Sequence, residues 1–530
     1  MTVSESPDAE ARATNTDVDE RVAGLTEHVP LADDGRETFT VEAPFTGDPI
    51  GEVPACDPED VEAAVERAER AQNDWTDRSV EERADIALDV HDRLLDESER
   101  LLDVMQLEGG KARRTAHEGL LYAAISCRHY AVRAEDYLET ERRKGALPLL
   151  TKTWENHHPV GVVGIITPWN YPLSLVIADA IPALLAGNAV VLEPAEETPY
   201  TALLVAEILH EAGVPEDLFQ VVTGSGSELG PPLIENSDHI GFTGSTETGR
   251  TVAAQAGEHI TKCSMELGGK NPGIVLTDAD IEKAAEGLVR GCFTNAGQIC
   301  IGIERLYVHE DVRDEFMRAF VGAIEDMKVG AGFEYGSDMG TIISESQFET
   351  VEEHVEDART NGATVLTGGR ARPDLGPYFY EPTVLTDVPE DSLPACEETF
   401  GPVVSVYGVE SVDEAVERAN DSEYGLNASV WTEDEELGRD VASRIECGTV
   451  NVNEGYAATQ ISVDSPMGGM KQSGIGRRHG DEGIMKYTES QTVAVQRGMG
   501  LTNPPGVPYS IYATAMNAAL RVMKLVPGIR

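Results

Sequence analysis

No apolar run in the 530-residue chain approaches the roughly 20 residues that a membrane span needs. No membrane span is expected. The first thirty residues are acidic and polar, without a cationic start or an apolar core, so no secretory signal is expected either. Positive charge is scarce. Against 94 Asp+Glu stand 41 Lys+Arg, a net charge of −53. Such a chain repels phosphate backbones and anionic bilayers, which excludes nucleic-acid binding as its main task. Cysteine is scarce as well. The seven, at 56, 127, 263, 292, 300, 396 and 447, are odd in number and form no CxxC or other paired metal spacing. They read as reduced thiols of a cytoplasmic protein, with no disulfide framework and no metal centre. No internal repeat of fixed period and no low-complexity tract occurs.

What is present is an ordinary globular mix, 41% hydrophobic and 25% charged. The length leaves room for two to four domains. The acidity is spread over most of the chain, as in Val80 to Glu99 (VEERADIALDVHDRLLDESE). Self-repulsion of that size destabilises a compact state in dilute salt. Molar salt shortens the Debye length to about 3 Å and screens it. The composition therefore predicts adaptation to a high-salt cytoplasm.

Residues 1 to about 35 read as a loose acidic lead-in. Residues 58–107 place Val61, Ala64, Val65 and Ala68 at helical spacing among charges. From Pro159 short apolar runs alternate with helical stretches. The runs are GVVGII at 161–166, NAVVLE at 188–193, FQVV at 219–222 and HIGF at 239–242; helices are expected at 173–186, 200–212 and 247–256. After Glu266 a second series follows, with PGIVL (272–276), RLYV (305–308), VVSVYGV (403–409), GLNASVW (425–431) and GTVNVN (448–453). This alternation predicts an α/β protein with two open parallel-sheet lobes and a cleft between them.

Four segments carry candidate chemistry. Gly244-Ser245-Thr-Glu-Thr-Gly249 follows the strand HIGFT and opens a helix. It is either a plain turn or a phosphate site, where glycine admits close approach to N–H groups and the positive end of the helix dipole. Cys300, in NAGQIC, is a small buried hydrophobe or a nucleophile on an approachable loop. Glu266, in MELGGKN, is a satisfied polar residue or a general base with a raised pKa. Asn170, in Trp169-Asn-Tyr-Pro, is turn chemistry or an amide donor for an oxyanion.

Together these segments resemble the aldehyde dehydrogenase superfamily. The resemblance runs through PWNYP (168–172), AGNAVVLEPAEETP (186–199), FTGSTETG (242–249), MELGGKNP (265–272), NAGQIC (295–300), EETFGPV (397–403), GTVNVN (448–453) and PMGGMKQSGIGR (466–477). Finer segments, CIGIERLYV (300–308), NVNEGYA (451–457) and NPPGVP (503–508), are similar to a succinate-semialdehyde dehydrogenase branch. The resemblance implies two Rossmann-type lobes plus a β oligomerisation element. It implies an NAD-binding domain at 36–139 and 160–268, a catalytic domain at 269–465, and oligomerisation segments with a C-terminal tail at 140–159 and 487–530.

It also implies roles. Cys300 attacks an aldehyde, Asn170 and the Cys300 backbone N–H hold the oxyanion, and Glu266 activates the water that hydrolyses the thioester. Glu398 binds the nicotinamide ribose beside Phe400, and Trp169 and Pro194 belong to the cofactor site. Gly244, Ser245 and Gly249 lie near the pyrophosphate, and Glu193 and Glu196 near the adenine ribose. NAD is the expected cofactor, with NADP possible, because two carboxylates stand where a 2′-phosphate would lie. A homodimer or homotetramer is expected, since the segment matching 487–495 pairs with a neighbouring subunit in the family. Three positions depart from the family: Glu193 replaces a usual Lys, Arg478 a frequent Glu, and Ala178, followed by Asp179, a carboxylate-binding Arg of some semialdehyde enzymes. A CoA-acylating semialdehyde dehydrogenase is the enzymatic alternative, and Glu266, which that branch lacks, argues against it. A non-enzymatic binding protein on the same fold is the other.

Overall fold

The computed structural model of the protein describes residues 21–31, 35–144, 151–497 and 502–525. Two sheets wrapped by helices form its body. The first runs in the order Gly474–Ile475, Lys262–Glu266, His239–Thr243, Val162–Thr167, Ala189–Pro194, Phe219–Val221. Its five strands between 162 and 266 are parallel, and Gly474–Ile475 joins the edge antiparallel. The second runs Thr364–Thr367, Thr383–Thr386, Val403–Val409, Ile303–His309, Asn271–Val275, Asn427–Trp431, Thr449–Val452. Only its first pair is antiparallel. Both series of apolar runs fall on these strands. Strands with helices on both faces bury every residue, which is why Ala189–Pro194 and His239–Thr243 show no polar alternation.

The helical stretch at 58–107 is three helices, Pro58–Thr76, Val80–Asp96 and Ser98–Gly109. The first two start at reciprocal capping boxes, Asp57 with Asp60 and Ser79 with Glu82. Each pair satisfies two N–H groups that the helix end would leave bare. Val61, Ala64, Val65 and Ala68 are buried as their spacing predicts. A longer helix, Arg113–Leu138, follows and buries Ala116, Leu120, Ala123, Cys127, Tyr130 and Ala134 at the same period.

Two segments behave differently from expectation. Residues 21–31, expected as part of a loose lead-in, are packed: Val22, Leu25 and Val29 lie in the core of the first lobe. Burying a leucine side chain contributes about 1.5–3 kcal/mol, enough to fix a short segment locally. Residues 1–20 of that lead-in lie outside the described residues. The chain beyond the second lobe also returns to the first, where Gly474–Ile475 pairs with Met265 and Glu266 and Ile484 and Tyr487 are buried.

A third, antiparallel sheet stands apart from both cores, in the order Thr488–Gln496, Thr151–Pro159, Glu141–Lys144. Helix Tyr509–Met523 follows it. Tyr512 is buried, whereas Ile511 and Leu520 are exposed.

Candidate active site

A cavity of about 300 Å³ lies between the lobes, outside the carboxyl ends of the first sheet. That is where open α/β sheets place ligands, because the loops leaving the strands converge there. The turn after Val162–Thr167 supplies Trp169 and Asn170, the loop after His239–Thr243 supplies Gly244 and Ser245, and Lys262–Glu266 ends in Glu266. The second lobe supplies Cys300 from the loop entering Ile303–His309, and Glu398 and Phe400 from the loop entering Val403–Val409. Eight of the twelve residues singled out in the sequence thus share one cavity.

The loop carrying Cys300 is strained and over-determined. After helix Ile281–Phe293 three successive residues adopt left-handed backbone: Asn295 (φ 53°), Ala296 (φ 55°) and Gly297 (φ 74°). At Gly297 any side chain would strike the Gly401 carbonyl. Such conformations persist only where neighbours enforce them. Here Asn295 Nδ2 donates to the carbonyls of Asn170 (3.2 Å) and Gln298 (3.0 Å). Buried Lys111 donates to Asn295 Oδ1 (3.0 Å) and to the Asn170 carbonyl. Gln298 spans to Thr341 and accepts from the Ile343 N–H. Asn271 Nδ2 holds the Cys300 carbonyl at 2.7 Å. The loop and the Asn170 turn are therefore one hydrogen-bonded block.

Burial pushes the Cys300 thiol up to about 12, with Glu398 and then Glu266 adding to the effect. The thiol is therefore protonated at neutral pH and must lose its proton before it can attack. Burial raises Glu266 to about 7 and Glu398 to about 8. Arg478 is the largest influence opposing that rise at Glu266. Glu398 Oε1 accepts from the Gly269 N–H at 2.8 Å. Its loop is anchored by Glu304, which accepts from the N–H groups of Thr399 (3.0 Å) and Phe400 (2.9 Å) and pairs with buried Lys270. Trp169 and Phe400 meet edge-on at 5.4 Å. Asn170 Nδ2 donates to the Gln298 carbonyl at 3.2 Å, and its Oδ1 has no partner among the described residues. Cys292, the other cysteine of this region, is buried in its helix and does not line the cavity.

Glu193, Pro194, Glu196 and Gly249 lie outside the cavity. Glu193 and Pro194 end strand Ala189–Pro194. Glu193 is 4% exposed, and its Oε2 has no partner among the described residues. Oε1 lies beside Gly226, the first residue of helix Gly226–Asn236. Burial, reinforced by Glu196, raises the Glu193 carboxyl to about 8. Glu193 is therefore neutral at pH 7, not the second anion its residue type suggests. Glu196 is exposed. A Cβ at Gly249 would run into the Leu267 side chain, so close packing of helix Thr246–His259 accounts for that glycine. Ser245 caps the same helix through the Thr248 N–H (3.1 Å). Lys111, Lys270, Glu304, Gln347 and Thr350 were not singled out in the sequence. Lys270 and Glu304 sit inside quoted motifs, but nothing in their spacing shows that they pair.

The sequence model described as the aldehyde dehydrogenase family matches residues 31–493. A Mycolicibacterium smegmatis protein named "Putative succinate-semialdehyde dehydrogenase (NADP(+))" is 50% identical over 495 residues, covering 93% of this chain and 96% of that one. A hydroxyisobutyraldehyde dehydrogenase of Mycolicibacterium austroafricanum is 37% identical, covering 86% and 90%. Among solved structures, betaine aldehyde dehydrogenase from Staphylococcus aureus in complex with NAD+ superposes with a TM-score of 0.87 at 32% identity, covering 92% and 99%.

Proposed function

The chain belongs to the aldehyde dehydrogenase family, and on that premise we propose that it oxidises a semialdehyde, succinate semialdehyde foremost, to the free acid with NAD. One observation carries the mechanism: Cys300, Asn170, Glu266 and Glu398 face a single cavity. The Cys300 sulfur passes its proton to solvent in the cavity and adds to the aldehyde carbon. The oxyanion that forms is held by the Asn170 amide and the Cys300 N–H, donors fixed in advance by the shared block. A bound nicotinamide cofactor supplies the hydride acceptor for this site. The residues fit such a group: Glu398 is a carboxylate lining the cavity beside the Trp169–Phe400 pair, and the Oε2 of buried Glu193 has no partner among the described residues. After oxidation the acyl group is a thioester on Cys300. Glu266 takes a proton from water, the hydroxyl adds to the acyl carbon, and the C–S bond breaks to release acid.

The names of the relatives support succinate semialdehyde. Ala178 is buried and Asp179 is bound to cations, so neither supplies a cation for a substrate carboxylate. The apolar cluster around Cys300 contains Tyr171, Ile299, Leu175, Tyr456 and Met467. A panel pairing succinate semialdehyde with an uncharged four-carbon aldehyde, assayed in molar salt with both cofactors, tests the substrate. A higher kcat/KM for the uncharged aldehyde would remove the semialdehyde assignment and keep the activity.

The cofactor preference is expected to depend on pH. Below about 8 Glu193 is neutral, and Glu196 alone repels a 2′-phosphate while accepting from ribose hydroxyls. Above that pH Glu193 ionises and adds a second negative charge. The ratio of kcat/KM for NAD over NADP is therefore expected to exceed one at pH 7 and to widen between pH 7 and 9. A ratio below one, or one that narrows, rejects this. The preference runs against the NADP(+) in the relatives' names.

The protein is further proposed to be a cytoplasmic homo-oligomer adapted to high salt. From Ser490 onward the sequence carries no acid and four cations, Arg497, Arg521, Lys524 and Arg530, leaving −57 on the rest of the chain. Strand Thr488–Gln496 exposes Val493 and Val495, and the tail helix exposes Tyr509, Ile511, Leu520 and Val522. Charge complementarity favours a second copy of this acidic chain as what covers them. Deleting residues 505–530 is expected to lower the oligomeric mass by light scattering, most as salt is reduced. Unchanged mass together with unchanged low-salt stability rejects that docking, and binding of the intact protein to anionic vesicles would assign the tail to lipid.

A further inference from the structure

Behind Glu266 lies a buried charge cluster that the reaction as described does not use. Arg478 is 7% exposed. Its guanidinium donates to Asp179 Oδ2 through Nη2 (2.5 Å) and Nε (3.2 Å), and to the Thr243 hydroxyl (2.6 Å). The other Asp179 oxygen accepts from Lys486 Nζ (2.9 Å) and the Tyr487 hydroxyl (2.9 Å). One carboxylate thus faces two cations, and the cluster holds a surplus positive charge. A surplus charge in a buried site attracts the next ionisable group of opposite sign.

That group is Glu266. Thr243, which Arg478 holds, is the register partner of Glu266 in the parallel pair of strands. On the other side Glu266 Oε1 lies against Gly468. The neighbour of Gly468, Met467, exchanges both backbone hydrogen bonds with Arg478. We propose that Arg478, locked by Asp179, is a positioning residue that serves Glu266 as a fixed buried counter-cation. It keeps the carboxylate form available for water activation although the surroundings favour the neutral acid. The inference rests on Glu266 being the base.

Other charged or titratable groups facing Glu266 are Lys486 and Arg477, which favour its charge, and Asp179, Cys300 and Tyr122, which oppose it or are raised by it. Asp179 therefore acts in two ways, holding Arg478 and weakening its field. The two partners must shift the base in opposite directions.

The test is the pH profile of steady-state turnover beside the pre-steady-state burst of NADH. Arg478→Gln is expected to move the acid limb of kcat up by about one pH unit or more, with the burst retained. Asp179→Asn leaves Arg478 uncompensated and is expected to move the limb down. Arg478→Lys keeps the cation and is expected to stay close to wild type; together with Asp179→Asn it carries the test if Arg478→Gln does not fold. Shifts of the same sign, or lowered kcat with an unmoved limb, would overturn the proposal and make the cluster structural. Glu266→Gln separates the two failures. If that variant turns over normally, the base is misassigned; if it stalls after the burst while the Arg478 and Asp179 profiles match wild type, only this inference fails.

Discussion

Replacing Cys300 with Ala is expected to lower turnover by about 10⁴-fold or more, the scale seen when an enzyme loses its covalent nucleophile. The reaction as proposed needs a bond from Cys300 to the aldehyde carbon, and no second thiol lines the cavity. Cys292 lies in a neighbouring helix but is fully enclosed, and burial holds its thiol well above the ordinary range. Cys292→Ala is therefore expected to keep activity, with at most the modest cost of a small cavity. Cofactor affinity, read by fluorescence quenching, is expected to survive in Cys300→Ala, because the loop is held by Asn295, Gln298 and Asn271, not by the sulfur. Near wild-type production of NADH by this variant would remove the nucleophile and the covalent route with it.

The parallel strands are legible in the sequence because burial on both faces leaves unbroken apolar runs bounded by glycine and polar turns. GVVGII and NAVVLE need no partner to be recognised. The third sheet has no such signature. Thr151–Pro159 reads TKTWENHHP, partly exposed along its length, and its partner Thr488–Gln496 lies over 300 residues away. Neither apolar alternation nor spacing marks it, and only the family resemblance pointed to those segments. Residues 21–31 depart from the expected loose lead-in for the opposite reason. A few apolar residues, Val22, Leu25 and Val29, suffice to dock a segment that is acidic on average.

The cavity shows the same division. Cys300, Glu266, Asn170 and Glu398 stand in glycine-rich or turn-forming segments, where reactive side chains reach a cleft, so residue type and context mark them. Their ionisation depends on what packs around them. Glu193 reads as a negative charge in the sequence, yet burial makes it a neutral acid at pH 7. Arg478 reads as a missing acid, yet it is one half of a buried pair with Asp179, 299 residues away. Spacing carries no information about such long-range charge pairing.

Replacing Glu266 with Gln is expected to divide the reaction at the thioester. Acylation consumes no water, so the burst of NADH persists with an amplitude near one per active site. Deacylation loses its proton acceptor, and steady turnover falls by about 10²–10⁴-fold, the usual contribution of a positioned base. The pH dependence fixes the sign. Burial raises the Glu266 carboxyl to about 7, so the active carboxylate is present above that pH and is lost as pH falls through it. Wild-type kcat is therefore expected to decline below about pH 7, and in Glu266→Gln this limb should vanish along with the rate. The raised pKa also suits the base to its task. A carboxylate at its ordinary value would take a proton from water only weakly, whereas one that titrates near neutrality binds that proton more firmly and is still ionised often enough to act. An unchanged steady-state rate in Glu266→Gln would show that another group activates the water, and Glu398, raised to about 8 on the same cavity, would then be the carboxylate to replace next.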